Sequence, residues 1–149
     1  MKPTTYTLQL NHNINSTEFG RLAALAQWGE PEDFTQERLN NHFAAVSFVA
    51  HVRGSGGEFV GYISALSNGL SSVFVDSLLT HPEYDQDIIS GLLLNAVLKH
   101  FAGCPVYGMP FVDEQEMFRN QGFKIYRREM VALANRNDKA AEVSALVHA

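Results

Sequence analysis

Apolar and polar positions alternate along "TTYTLQLN" (4–11), a stretch rich in Thr and Tyr, and this pattern predicts a strand. The period then changes. In "NSTEFGRLAALAQW" the residues Phe19, Leu22, Ala23, Leu25 and Ala26 fall at helical spacing, with Asn15 or Ser16 able to cap the first turn. "GEP" breaks that helix, and "EDFTQERLNNHFAAV" predicts a second one with Phe34, Leu39 and Phe43 on one side. A run of strand signals follows. "VSFVAHV" (46–52) and "FVGYISAL" (59–66) flank the glycine-rich turn "RGSGGE" and make a hairpin. After the turn "SNGLSS", "VFVDSLLT" (73–80) is nearly continuous in apolar residues, as expected of a strand buried on both faces, and Pro82 ends it.

From Asp87 to about His100 the residues Ile88, Ile89, Leu92, Leu93, Ala96 and Val97 form a stripe that predicts a helix packed on the sheet. "PVYGM" (105–109) predicts a short strand, and "DEQEMFRNQ" a short helix stopped by Gly122. "FKIYRREMVAL" (123–133) alternates and predicts the last strand. The order is therefore β-α-α-β-β-β-α-β-α-β, an α/β (α+β) chain with a mixed sheet and helices on both faces. Strands 73–80 and 105–109, joined by a helical crossover, are expected to run parallel.

The 149 residues suit one domain, expected over residues 1–134, with a polar tail at 135–149 that could form a terminal helix. A net charge of -5 with scattered basic residues argues against a nucleic-acid partner and mildly favours amine-bearing ones. No apolar run is long enough to span a bilayer and the N-terminus lacks a secretory pattern, so no membrane partner and a cytoplasmic location are expected. The six histidines show no ligand spacing and Cys104, the single cysteine, has no Cys or His partner nearby, so no metal site is expected.

Three phrases carry a resemblance. They are "EFVGYISALSNG", "VDSLLTHPEY" and "FRNQGFKIYRREMVAL", with His81-Pro82-Glu83-Tyr84 and Gly122-Phe123 set around one helix and one strand. In this order they resemble the GNAT superfamily of acyl-CoA N-acyltransferases over roughly residues 5–134, with Thr80 where the family has Val. The resemblance implies two neighbouring parallel strands that splay apart and admit the pantetheine arm of acetyl-CoA, the cosubstrate. Leu78, Leu79 and Thr80 would pair with that arm. It implies acetyl transfer to a small amine or a protein amine, and leaves a homodimer open. The alternative is a catalytically degenerate GNAT fold that binds a ligand or a regulatory partner and holds CoA weakly or not at all.

The pyrophosphate of CoA would rest on the amides that open the next helix, where unpaired N–H groups favour anions. The family pattern there is Gln or Arg, two residues, Gly, one residue, then Gly or Ala. Directly after Tyr84 this chain reads Asp85, Gln86, Asp87, Ile88, Ile89, Ser90. In that register the first glycine is Ile88 and the last position Ser90, and Leu93-Leu94 falls into place. A shift of one uses Gln86, Ile89 and Gly91 but displaces the leucines. Either way an isoleucine replaces the glycine that lets a backbone amide approach phosphate. Asp85 or Asp87 also reads simply as an N-cap.

Acetyl transfer needs a polarised carbonyl, a base for the amine and, optionally, an acid for the sulfur. The family's usual acid is a Tyr about four residues before Gly-Phe. Here Phe118 holds that place, and Tyr84, Tyr107 and Tyr126 do not match it. Asp76, a carboxylate inside an otherwise apolar strand, is the first choice of base, with His42, His51 and His81 behind it. A carboxylate bonded to a loop amide or a packed histidine is the plainer reading of each. Trp28, Phe34 and Phe43 are candidates for one wall of an acceptor pocket or for core. Arg119, Lys124, Arg127 and Arg128 form a local basic group, more simply solvated than bound to phosphate.

Overall fold

The computed structural model describes residues 4–125 and 131–135. Its strands β1 (Thr7–Gln9), β2 (Phe48–Arg53), β3 (Phe59–Ser67), β4 (Val73–Thr80) and β5 (Val106–Tyr107) form one sheet in sequential order. The first three pairings are antiparallel and β4–β5 is parallel. The expected mixed sheet is therefore present, and the crossover from β4 to β5 runs through α3 (Gln86–His100).

Two cores cover the two faces of the sheet. On one, α1 (Ser16–Leu25) and α2 (Gln36–Ala45) bury Phe19, Leu22, Leu39 and Phe43 against Phe59, Tyr62 and Leu79. On the other, α3 and α4 (Gln115–Arg119) set Ile89, Leu93, Leu94, Val97 and Phe118 on Val52, Ile63, Ala65 and Val75. Full burial of each large aliphatic side chain there contributes roughly 1.5–3 kcal/mol. The predicted stripe of α3 is corrected at its first residue. Ile88 is 48% exposed, and Leu94 is buried in addition to Leu93. The helix sits close because β3 offers Gly61 under Ile89: a β-carbon there would lie 2.3 Å from the Ile89 Cγ2 methyl.

Local chemistry sets the helix starts. Asn15 caps α1 with a full capping box, its side chain accepting from Glu18 N while the Glu18 carboxylate accepts from Asn15 N. Arg53 at the end of β2 then donates to both oxygens of Glu18 at 2.8 Å, and this hydrogen bonding holds the Glu18 carboxyl below its ordinary value against the opposing effect of burial. The second helix begins later than its sequence pattern predicts. Pro31 opens a separate 3-10 turn, Pro31–Asp33, and Thr35 caps α2 by accepting from Arg38 N. Phe34 therefore lies between the two elements and not on α2.

The last predicted strand is not found where it can be seen. Residues 123–125 and 131–133 carry no strand. Residues 126–130, with Tyr126, Arg127 and Arg128, and the tail beyond 135 lie outside the described residues.

Candidate functional site

β4 and β5 touch only at their beginnings. Val73 faces Val106 and Phe74 faces Tyr107, and among the described residues β4 has no further partner on that side. Val75–Thr80 thus presents an open edge where every second residue directs its N–H and C=O outward. A bulge marks the point of parting. Ser64 pairs with Ser77 and Ala65 with Val75, so Asp76 is the extra residue of β4. Its side chain is exposed, and Oδ2 accepts from the Ser64 hydroxyl at 3.2 Å. Ser64 Oγ also meets Ser77 Oγ at 2.6 Å.

Tyr62, two residues before Ser64, lies on the same face and is fully buried. Its hydroxyl meets His42 Nε2 at 2.8 Å. Burial pushes the Tyr62 phenol well above its ordinary value, the nearby Ser64 hydroxyl works the other way, and the negative charge of Asp76 adds to the rise. His42 in turn lines a cleft of about 410 Å³ with Phe19, Trp28, Asp33, Phe34, Arg38 and Leu39. Trp28 and Phe34, both on the link between α1 and α2, stack at 6.0 Å with 12° between ring planes. Phe43 is core and does not line the cleft.

At the far end of β4 the chain turns through Pro82 into α3. Asp85 is the N-cap: its carboxylate accepts from Ile88 N at 3.2 Å, and its own N–H donates to the Tyr6 hydroxyl at 2.9 Å. Gln86 donates to Thr80 Oγ1 at 3.0 Å. Asp87 is exposed in the first turn, Ser90 is buried with its hydroxyl on Asp87 O, and Gly91 lies beside Gln121. Ile89 is buried under the sheet with Leu93 and Leu94. Of the strand residues expected along the pantetheine, Leu78 is half-buried on the α3 side, Leu79 is buried on the α1 side, and Thr80 is buried.

Shape decides what this arrangement is like. The *Streptococcus pneumoniae* GNAT-family acetyltransferase superposes with a TM-score of 0.67 at 23% identity, over 89% of this chain and 100% of its own. A *Deinococcus radiodurans* protein described as a putative acetyltransferase gives 0.67 at 18% identity, over 91% and 92%. The fold is that of the GNAT acetyltransferases. An aminoglycoside 6′-N-acetyltransferase in complex with CoA shares this GNAT fold with a TM-score of 0.65 at 14% identity, over 90% of this chain and 97% of its own. No protein-family model matches the sequence, and no curated protein matches it.

The edge of β4 leaves backbone groups open, and the start of α3 suits an anion poorly. Two of its amides already serve protein acceptors, and Asp85 and Asp87 put negative charge at the end where an anion would settle. Phe118, which the resemblance sets where the family has its acid, is 6% exposed and rests on Gly108, where a β-carbon would fall against its ring. It also packs edge-on against Phe123 at 5.2 Å. It offers no proton. Two of the histidine candidates are otherwise engaged. His51 is buried on β2, and His81 Nδ1 accepts from Glu83 N while its ring sits edge-on to Tyr84 at 4.9 Å. Tyr62 and Ser64 were not among the sequence candidates. Their signal was there in "YIS": two polar side chains spaced by two, on one face of a strand that is otherwise apolar. Among the described residues no group of three potential ligands could hold a metal ion, and no helix is long and apolar enough to cross a membrane.

Proposed function

We propose that this protein transfers an acyl group, in the simplest case acetyl, from acyl-CoA to a small amine, and that it holds CoA mainly through its pantetheine arm. The observation that carries the reading is the parted β4–β5 pair with Asp76 at the bulge. The open edge of β4 supplies N–H donors for a thioester carbonyl, and Asp76 supplies an accessible carboxylate to take the proton of an ammonium group. The cleft has the size of a small-molecule site, with Phe19, Trp28, Phe34 and Leu39 as apolar wall beside Asp33, Arg38 and His42, which supports a small amine with an apolar portion. CoA itself supplies the activated thioester; the chain's part is to orient it, exclude water and manage protons.

One observation favours a second reading, a GNAT fold that binds without transferring: the self-capped start of α3. Transfer of labelled acetyl from acetyl-CoA to a panel of arylalkylamines, polyamines and aminoglycosides separates the two. Turnover of an apolar amine, lowered at least about tenfold by Asp76→Asn, is the expected result. Saturable binding of an amine with no turnover would establish the binding reading instead.

A further inference from the structure

The bulge in β4 brings two neighbouring side chains to one buried hydroxyl. In an unbroken strand Asp76 and Ser77 would point to opposite faces. Here both reach Ser64 on β3, with Asp76 Oδ2 at 3.2 Å and Ser77 Oγ at 2.6 Å from Ser64 Oγ. The count of protons fixes the direction of these bonds. A carboxylate only accepts, so the proton of Ser64 goes to Asp76, and Ser77 donates to Ser64. Two buried serines that bonded only each other would leave one proton over; this one is given to the carboxylate. Ser64 and Ser77 are both buried, on packed strands, while Asp76 is exposed. Among the described residues Oδ2 is bonded and Oδ1 is not. An exposed Asp without a partner samples several rotamers, and a hydroxyl held inside the sheet selects one. Alanine would fill either serine's place without bringing a hydroxyl that needs a partner.

We infer that Ser64 and Ser77 are positioning residues, a chain of two buried hydroxyls that ties down Oδ2 of Asp76 and leaves Oδ1 as the oxygen that takes the acceptor's proton; the inference rests on the acyl-transfer reading with Asp76 as base. Neither serine touches substrate or exchanges a proton. An ammonium N–H passes its proton to Oδ1, and the nitrogen keeps the electron pair. The amine attacks the thioester carbonyl, the N–C bond forms, the C–S bond breaks, and the pair leaves on sulfur. The nitrogen's second proton balances the thiolate charge, and Asp76 sheds the first to water. Ser64 keeps its bond to Oδ2 throughout, because the incoming proton lands on the other oxygen. A base held in one orientation meets the reacting nitrogen in a larger share of encounters than one that wanders at the surface. The bulge is what makes this possible, since it sets Ser77 and Asp76 on the same side of β4.

A double-mutant cycle of Ser64→Ala and Asp76→Asn separates positioning from a merely structural role. In steady-state kinetics with acetyl-CoA and the best amine of the panel, Ser64→Ala should lower kcat about five- to tenfold, with KM for acetyl-CoA within about twofold. In the Asp76→Asn background the same change should alter kcat by less than about twofold, because no base remains to be oriented. Equal losses in both backgrounds, or an unchanged kcat in the first, would overturn the positioning role and leave acyl transfer standing. If Ser64→Ala fails to fold because it leaves the Ser77 hydroxyl without its partner, Ser64→Ala with Ser77→Ala removes both hydroxyls and takes its place in the cycle. Absence of transfer in the unmodified protein would overturn the acyl-transfer reading, and the serines would then have no reaction to serve. A crystal structure of the serine variant reads the positioning without turnover. The Asp76 side chain should take a different rotamer or several, and a carboxylate that stays in place would overturn the inference whether or not the protein is active.

Discussion

His51 occupies an inner strand with no exposure, donating or accepting through Nδ1 at 3.1 Å from the Asn11 carbonyl, while its Nε2 has no hydrogen-bond partner among the described residues. Burial lowers its tendency to protonate, and the nearby Arg53 charge adds to that; the Asn11 carbonyl and Glu18 oppose it. A histidine whose folded value lies below its unfolded one contributes stability that is complete above about pH 6.5 and is lost as pH falls, because the unfolded chain takes up the proton first. Urea unfolding at pH 7.5, 6.5 and 5.5 should therefore show a loss of up to about 1.4 kcal/mol per pH unit from this group below pH 6.5. His51→Gln should remove that component. An unchanged pH slope in the variant would mean that His51 titrates alike in both states. The same burial explains why His51 could be named as a base from the sequence and yet is unsuited to the task. Side-chain identity is legible in a sequence; access to solvent depends on which residues of β1, β3 and α1 close over it.

At the scale of elements, β4 spans the predicted residues because Pro82 and the Ser-rich turn bound it on both sides, and the hairpin of β2 and β3 follows its alternation. The start of α2 was not legible in the same way. Its apolar spacing continues backward through Phe34, and only the proline turn and the Thr35 cap decide where helical hydrogen bonding begins. The start of α3 was legible as a cap, but not the use of Tyr6, 79 residues earlier in sequence, to occupy the Asp85 amide. That local economy defines a prediction. Asp85→Arg with Ile88→Gly removes a carboxylate, opens the backbone and adds a cation at a helix N-terminus. It should tighten acetyl-CoA about tenfold or more, since roughly 1.4 kcal/mol suffices for that factor. Loss of the cap and a glycine in the first turn should lower stability by about 1–2 kcal/mol, visible as a lower Tm. An unchanged affinity in a folded double variant would mean that CoA does not use this loop.

For the whole molecule, the order of elements was readable because each period is local, and the parallel β4–β5 pair followed from the crossover. The neighbourhood of Asp76 was not readable in the same way, since Asp76 and Ser64 meet through a bulge that no periodicity announces. The bulge places Asp76 beside Ser64, and the sheet places Tyr62 over α2. The net charge of -5 and the carboxylates at α3 act together on any polyanion that approaches. Like charges about 6 Å apart repel by roughly 2–3 kcal/mol at an effective dielectric near 20, and solvent exposure and salt reduce this to about 1 kcal/mol or less per carboxylate. A diphosphate so opposed should gain from screening, because the Debye length shrinks from about 30 Å at 0.01 M salt to about 8 Å at 0.15 M. The central claim, that the parted strands accept CoA while the loop does not hold its diphosphate, is tested most directly by calorimetric titration of acetyl-CoA at those two salt concentrations. Weak binding, with Kd on the order of 10⁻⁴ M, that strengthens with salt is the expected result. Low-micromolar affinity that weakens as salt is added would contradict it.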